Sequence, residues 1–155
     1  MAPKTETETA GKPGVEWREV ALESLAGAGL RSGGARTRVV EEMATHGCCR
    51  SAQEIHDALR SEGGPVGMAS VYRALEALEG LGLIQKTDLG DGVRMYEAVI
   101  PGGDHHHHLV CDSCGRITPF EDERLERAIH DLADGRGHTA AAHEVVIRGT
   151  CSRCR

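Results

Sequence analysis

The sequence is organised around one stretch, Asp104-His105-His106-His107-His108-Leu109-Val110-Cys111-Asp112-Ser113-Cys114-Gly115. It contains four imidazoles and two thiols, the groups with which proteins bind zinc and the neighbouring transition metals. Side chains alternate between the two faces of a β-strand, so a strand here would direct His105 and His107 to one side and His106 and His108 to the other. The stretch therefore predicts two histidine-based sites, and its Cys-x-x-Cys knuckle would contribute to a third.

A second Cys-x-x-Cys knuckle lies at Cys151 and Cys154. Together with Cys111 and Cys114 it offers four sulfurs, which is the ligand count of a closed tetrahedral structural zinc site. Such a site would join the histidine-rich strand to the end of the sequence. Two separate redox dithiols, or a four-thiolate iron site, are the alternatives, although an iron site would not explain the histidines.

Length and composition limit the class of protein. A chain of 155 residues with a formal charge of −6 fits one domain or two small ones, and it is not a broadly basic nucleic-acid binder. It contains no apolar run long enough to span a membrane and no amino-terminal signal pattern. We therefore expect a cytoplasmic protein without a membrane partner, whose six cysteines are reduced and largely metal-binding.

The first part of the chain predicts a disordered tail followed by a small helical domain. Residues 1–14 are polar, with two prolines and an alternation of threonine and glutamate. Within 15–100, Ser51 followed by Glu54 predicts a capping box, and two strands flank a glycine-rich turn. The apolar periodicity predicts four helices, at about 15–28, 35–45, 51–62 and 68–80. Short helices followed by a hairpin indicate a winged helix-turn-helix, whose last helix enters the major groove of DNA.

The second part of the chain predicts a hinge and a small α/β domain. Residues 101–104 form the hinge, and 105–155 form the domain. The expected elements are a strand on the histidine run, a strand at 116–120, a helix at about 122–133 and a strand at about 142–148. So small a sheet needs additional stabilisation, and a zinc clamp together with a second copy of the chain would provide it. The fold class is thus α+β, with an N-terminal winged helix and a C-terminal dimerisation domain.

Taken together, these motifs resemble those of the ferric uptake regulator superfamily of metal-sensing repressors. The run His-His-His-His-Leu-Val-Cys-x-x-Cys-Gly is similar to the signature of that family, and residues 66–75 are similar to its recognition helix. Residues 51–56 and the second Cys-x-x-Cys extend the resemblance over nearly the whole chain. The resemblance implies a homodimer that binds inverted-repeat operator DNA and represses metal-uptake genes. It also implies a structural zinc on the four cysteines and a sensory metal near the hinge.

Ligand sets for two further sites follow from the same resemblance. The sensory site would take Cys49, Glu97, His106 and His108. The second site would take His105, His107, Glu126 and His143. The family commonly has His at position 49 and, in its iron sensors, Asp at position 107. A set with sulfur and nitrogen ligands and little oxygen favours zinc as the sensory metal. Iron or manganese at that site, in an iron- or peroxide-sensing regulator of the same superfamily, is the alternative.

The expected contacts with double-stranded DNA come from the helices. Tyr72 and Arg73 lie where a recognition helix faces base edges, and the resemblance adds Arg31 and Arg36 as contacts to phosphates or the minor groove. Simpler explanations are that Tyr72 packs in the core, that Glu97 is a solvated strand residue, and that Cys49 is a small buried residue. A zinc deaminase would need a His-x-Glu motif, which is absent from the sequence. A zinc buffer would need no recognition helix.

Overall fold

The structure, a computed structural model, describes residues 13–30, 34–46, 48–90, 92–100 and 106–155. The chain divides into two compact units, Met1–Gly102 and Gly103–Arg155. Among the described residues, the first unit contains four helices and a three-stranded sheet, and the second contains one helix and a three-stranded sheet, which gives an α+β fold. Among the described residues, no helix combines the length and the apolar character that crossing a membrane would require.

Four helices form the first unit, and each coincides with a predicted segment: α1 Pro13–Gly27, α2 Ala35–Ala44, α3 Ala52–Ser61 and α4 Met68–Gly80. Helix α1 begins two residues before the predicted start, because proline is well suited to the first turn of a helix. The rest of the predicted tail, 1–12, lies outside the described residues. A Cβ at Gly14 would lie 2.0 Å from the carbonyl oxygen of Ala44, so the start of α1 passes the end of α2 too closely for a side chain.

The predicted capping box starts α3. The Glu54 backbone N–H donates to Ser51 Oγ (3.2 Å), and the Ser51 backbone N–H donates to Glu54 Oε2 (2.7 Å). These reciprocal bonds satisfy two of the donors that a helix N-terminus leaves without a partner. The start of α3 is therefore set by the chemistry of two side chains.

Three antiparallel strands form the wing: β1 Arg50–Ser51, β2 Ile84–Asp88 and β3 Arg94–Ala98, in the order β1-β3-β2. The hairpin of β2 and β3 was predicted, whereas the two-residue strand β1 was not. Its register pairs Arg50 with Tyr96. The residue before β1 is Cys49, and the residue after Tyr96 is Glu97, so the pairing brings these two positions to the same place in the sheet.

One apolar core lies beneath the four helices and the wing. Trp17 of α1 is 1% exposed, and its indole N–H donates to the carbonyl oxygen of Leu83, 2.9 Å away. The fully buried side chains around it come from every helix of this unit, for example Leu25, Val40, Ile55 and Leu75. With so few aromatic residues, aliphatic packing supplies most of the apolar area that stabilises this unit.

The second unit has a three-stranded sheet and one helix: β4 His107–Cys111, β5 Ile117–Phe120, α5 Glu123–Asp134 and β6 Val146–Gly149. Strand β4 is central, antiparallel to β5 and parallel to β6. The last strand begins at Val146 and not at 142 as predicted, so His143 lies in the preceding loop. Val110 and Cys111 are the only buried hydrophobic residues of this unit among those described, so its core is very small.

Candidate metal centres and nucleic-acid interface

The four predicted zinc cysteines lie together in the second unit. Cys111 ends β4, Cys114 follows in the adjacent turn, and Cys151 and Cys154 follow β6. Because β6 runs parallel to β4, both knuckles emerge at the same edge of the sheet. All four Sγ atoms lie within 4.8 Å of one another, and the Cys114 and Cys151 sulfurs are 3.8 Å apart. The arrangement offers four convergent sulfurs to one ion.

Backbone amides in this cluster already stabilise negative charge on sulfur. The Cys151 backbone N–H donates to Cys111 Sγ (3.3 Å), and this bond, with help from the Cys114 amide, lowers the pKa of Cys111 to about 6. Hydrogen bonding to the Cys114 sulfur has the opposite effect on Cys154, whose pKa is raised to about 12. Four crowded thiols thus cannot all ionise without a compensating cation. The donor set therefore fits a tetrahedral zinc ion.

Three of the four residues predicted for the second site also lie together. The two carboxylate oxygens of Glu126, on α5, each form a hydrogen bond with a histidine: Oε1 with His107 Nε2 (2.7 Å) and Oε2 with His143 Nε2 (2.8 Å). His107 is 0% exposed. The fourth predicted ligand, His105, lies outside the described residues. Asp122 caps α5 and thereby fixes where Glu126 projects.

The second cluster is a hydrogen-bonded triad in which His107 has a defined tautomer. The Val145 backbone N–H donates to His107 Nδ1 (3.3 Å). Since Nδ1 accepts, the neutral ring has its proton on Nε2 and donates it to Glu126. A cation bound at Nε2 would require the proton to move to Nδ1, facing the Val145 amide. The residues fit an ion by type and distance, but loading the site has this cost.

His106 and His108 lie on the side of β4 opposite to His107. His106 precedes the strand, His108 is its second residue, and their ring centroids are 5.0 Å apart. His108 is 2% exposed, and its Nδ1 lies 3.8 Å from Glu144 Oε1. Glu144 was not predicted as a site residue. The only feature of the sequence that could have indicated it is its position next to His143. The predicted division between His107 and the pair of His106 and His108 is thus present in the described part of the strand.

Two thiols and a carboxylate meet in the first unit. Cys48 Sγ and Cys49 Sγ are 3.8 Å apart, and Cys49 is 5% exposed. The hydrogen bond to Cys48 and burial raise the pKa of Cys49 far above its ordinary value, and the negative charge of Glu97 contributes in the same direction. Glu97 is only 6% exposed, so the explanation of it as a solvated strand residue is wrong. Cys48, which no predicted ligand set included, lies beside both predicted ligands.

A buried ion pair holds the segment that carries these thiols. Glu42, near the end of α2, is 5% exposed and pairs with the Arg50 guanidinium; His46 Nδ1 lies 3.6 Å from the same carboxylate oxygen. Arg50 also donates from Nη2 to the carbonyl oxygen of Glu54 (3.2 Å). A buried charge with close partners is costly to disturb. The positions of Cys48 and Cys49 are consequently fixed from both sides.

Helix α4 presents the predicted base-reading residues to solvent. Its core face is buried through Val71, Ala74, Leu75 and Leu78. Tyr72 is 47% exposed, so the explanation that it packs in the core is wrong, and Arg73 is also exposed. Arg36 is half-buried on α2, and Arg31 lies outside the described residues. The exposed Tyr-Arg pair on the last helix of a winged helix-turn-helix is an arrangement suited to the major groove.

In comparisons with known proteins, the family model, the similar sequences and the similar structures all belong to one group of metal-uptake regulators. The model of the ferric uptake regulator family matches residues 27–148. The chain is 31% identical over 135 residues to the ferric uptake regulation protein of Neisseria meningitidis serogroup A, covering 86% of this chain and 92% of that protein. It is 36% identical over 132 residues to the zinc uptake regulation protein of Mycobacterium tuberculosis, covering 84% and 99%. The solved structure of the ferric uptake regulator of Helicobacter pylori matches with a TM-score of 0.77 at 26% identity, over 95% of this chain and 94% of that one.

Proposed function

The chain belongs to the ferric uptake regulator family, and on this basis we propose that it is a zinc-responsive repressor of metal-uptake genes. Members of this family are metal-dependent, DNA-binding transcription regulators and not enzymes. The observation that carries the finer proposal is that sulfur accompanies the expected sensory ligands at Cys49. Sulfur and imidazole donors favour zinc over iron and manganese.

The proposed sensory site takes donors from both units. Cys49 and Glu97 are both buried in the first unit, where the Cys48 sulfur also lies within 4.8 Å of the Glu97 carboxylate, and His106 and His108 have adjacent rings in the second. Each pair is thus ordered within its own unit. A bound divalent cation would supply the positive charge that draws both donor pairs together. Its binding energy is then available only in the arrangement that also suits DNA, and the metal shifts the population towards that arrangement.

The four-cysteine cluster is proposed to hold a structural zinc, and the triad of His107, Glu126 and His143 a second, weaker ion. The first has four sulfurs within reach of one ion and amides that stabilise thiolate. The second must give up two hydrogen bonds and change a tautomer to bind. The structure of the Helicobacter pylori ferric uptake regulator reveals three functional metal binding sites.

We propose a homodimer formed through the second unit and acting in the cytoplasm on an inverted-repeat operator. Leu109 and Ile147 are paired neighbours on one face of the sheet and are 41% and 47% exposed. Helix α5 is amphipathic, yet none of its residues is buried, and Leu132 is 57% exposed. A second copy would cover these apolar surfaces and compensate for the small core. Sedimentation should show a dimer for the native chain and a monomer for Leu109→Glu.

The test of the proposed function is operator binding by protein from which the sensory metal has been removed, while zinc remains on the four-cysteine cluster, and to which zinc, iron or manganese is then added. DNA from upstream of candidate metal-transporter genes is the probe, measured by gel shift. We expect zinc to restore specific binding, and His106→Ala with His108→Ala to abolish that response while the dimer and its structural zinc remain. His138→Ala is the matched control, since His138 is exposed and outside the described clusters. Restoration by iron alone would instead establish an iron-responsive member. A metal response that survives the double change would refute the sensory site.

A further inference from the structure

The adjacent thiols Cys48 and Cys49 have the spacing of two ligands on one ion. Their sulfurs are 3.8 Å apart. Two thiolates bound to tetrahedral zinc at about 2.3 Å would also be about 3.8 Å apart. We propose that both sulfurs bind the same thiophilic cation, so that the sensory site has two thiolates where the family resemblance supplies one. This inference rests on the proposed function and specifies the metal class of its sensory site.

The local backbone explains how neighbouring side chains reach one point. Residues that follow each other in a strand direct their side chains to opposite faces. Cys48 lies in a bend and only Arg50 begins β1, so this alternation does not apply to the two cysteines. Glu42 lies close to His46 before the turn and pairs with Arg50 after it, and the capping box follows, so both ends of the turn are held. The convergence of the sulfurs is therefore built into the fold.

The charges around the pair favour a soft divalent cation. Glu97 is buried, and its carboxylate lies within 4.8 Å of the Cys48 sulfur, so negative charge is close to the pair. Binding of a cation replaces the thiol protons and offsets the carboxylate charge. Two thiolates select zinc or cadmium over iron(II) and manganese(II), which prefer oxygen and nitrogen ligands.

An intramolecular disulfide is a poor explanation of the pair. The peptide bonds described are trans, and consecutive Cα atoms across a trans peptide are about 3.8 Å apart. Disulfides usually need about 4.4–6.8 Å between Cα atoms. Oxidation would thus strain the turn that Glu42 and Arg50 hold, whereas metal binding accepts the sulfurs where they lie.

The proposal is tested by counting metal-bound sulfurs with cadmium. Demetallated full-length protein receives two equivalents of cadmium, one for the four-cysteine cluster and one for the sensory site. We expect the ultraviolet cadmium–thiolate band to report six sulfurs. It should fall to about five-sixths in Cys48→Ser and in Cys49→Ser, and to about two-thirds in the double variant. His138→Gln, the matched control, should leave it unchanged. Cadmium-113 NMR of the unsubstituted protein counts the sulfurs independently, in case a variant fails to fold.

The outcomes separate this proposal from the proposed function. If Cys48→Ser keeps the full band, or the NMR resonance of the second cadmium shows one sulfur or none, the two-thiolate site is refuted. Operator binding that still depends on metal and on His106 would then leave the proposed function standing. Conversely, if six sulfurs bind cadmium but DNA binding does not depend on metal, the two-thiolate site is supported and the proposed function is refuted.

Discussion

Replacing Arg73 by alanine probes the proposed DNA interface at an exposed side chain of α4. The Arg73 side chain projects into solvent from α4, on the side opposite the buried Val71 and Ala74. Among the described residues it makes one hydrogen bond to a side chain, a long one of 3.4 Å from Nη2 to Ser70 Oγ. Removing it should leave the core of the unit untouched. We therefore expect a folded dimer with an unchanged melting temperature and weaker operator binding.

The size of the effect follows from the hydrogen bonds that a guanidinium can donate to a base. A good bidentate interaction of arginine with a guanine edge contributes about 1–3 kcal/mol of discrimination, or about 5- to 150-fold in Kd. In the proposed symmetric dimer Arg73 would face both half-sites, so the loss would double in free energy to about 2–6 kcal/mol if the two half-sites are independent. Binding to random DNA should change far less, since it depends mainly on interactions with phosphates.

Fluorescence anisotropy with operator and random duplexes, over a range of salt concentrations, measures both quantities. Arg127→Ala is the matched control, because it removes the same charge from an exposed position in the second unit. Equal losses for Arg73→Ala and Arg127→Ala would mean that only bulk charge matters. Equal losses on operator and random DNA would mean that Arg73 contacts phosphate. Either result would refute its role in reading bases.

Three further predictions concern local features. Ser51→Ala removes the capping box of α3 and should cost about 1 kcal/mol, which lowers the melting temperature by about 4–8 °C, whereas Ser61→Ala should change it little. The Arg124 side chain, with backbone amides, lowers the pKa of Asp122 to about 2. The ionised Asp122 therefore stabilises the fold fully above pH about 4, and this contribution is lost as the pH falls towards about 2. In Asp122→Asn the free energy of unfolding should change less over that pH range. In calorimetric titration of demetallated protein the cluster of Glu126 should fill last, and Glu126→Gln should abolish that weakest step alone. An unchanged melting temperature in Ser51→Ala, an unchanged pH dependence of unfolding in Asp122→Asn, or an unchanged weakest binding step in Glu126→Gln would contradict the corresponding prediction.

Helices were predictable where periodicity and caps agreed. The four helices of the first unit extend over 10 to 15 residues of apolar spacing, and Ser51 with Glu54 identified the start of α3. Strand β1 was missed because two residues have no period. The strand expected from residue 142 begins at Val146, because the parallel ladder with β4 starts with the pair His108 and Val146. The local composition of a segment does not show where its partner strand begins.

The candidate sites divide in the same way. Cysteine spacing predicted the four-sulfur cluster, because a Cys-x-x-Cys turn brings its own sulfurs together whatever surrounds it. Alternation along β4 separated His107 from His106 and His108. Glu144 and Cys48 were missed. The first approaches His108 only through a parallel strand pairing, and the second through a bend that removes the strand alternation.

The four-cysteine cluster joins residues that are 40 positions apart, Cys111 and Cys151. Closing a loop of that length removes about 4 kcal/mol of chain entropy from the unfolded state, by analogy with a disulfide. That is a large share of the stability of a unit whose buried hydrophobic residues, among those described, are Val110 and Cys111. Loss of the proposed structural zinc should therefore do more than stop the proposed binding to DNA. It should expose α5 to proteases, and the amount of protein in the cell should fall with the metal supply.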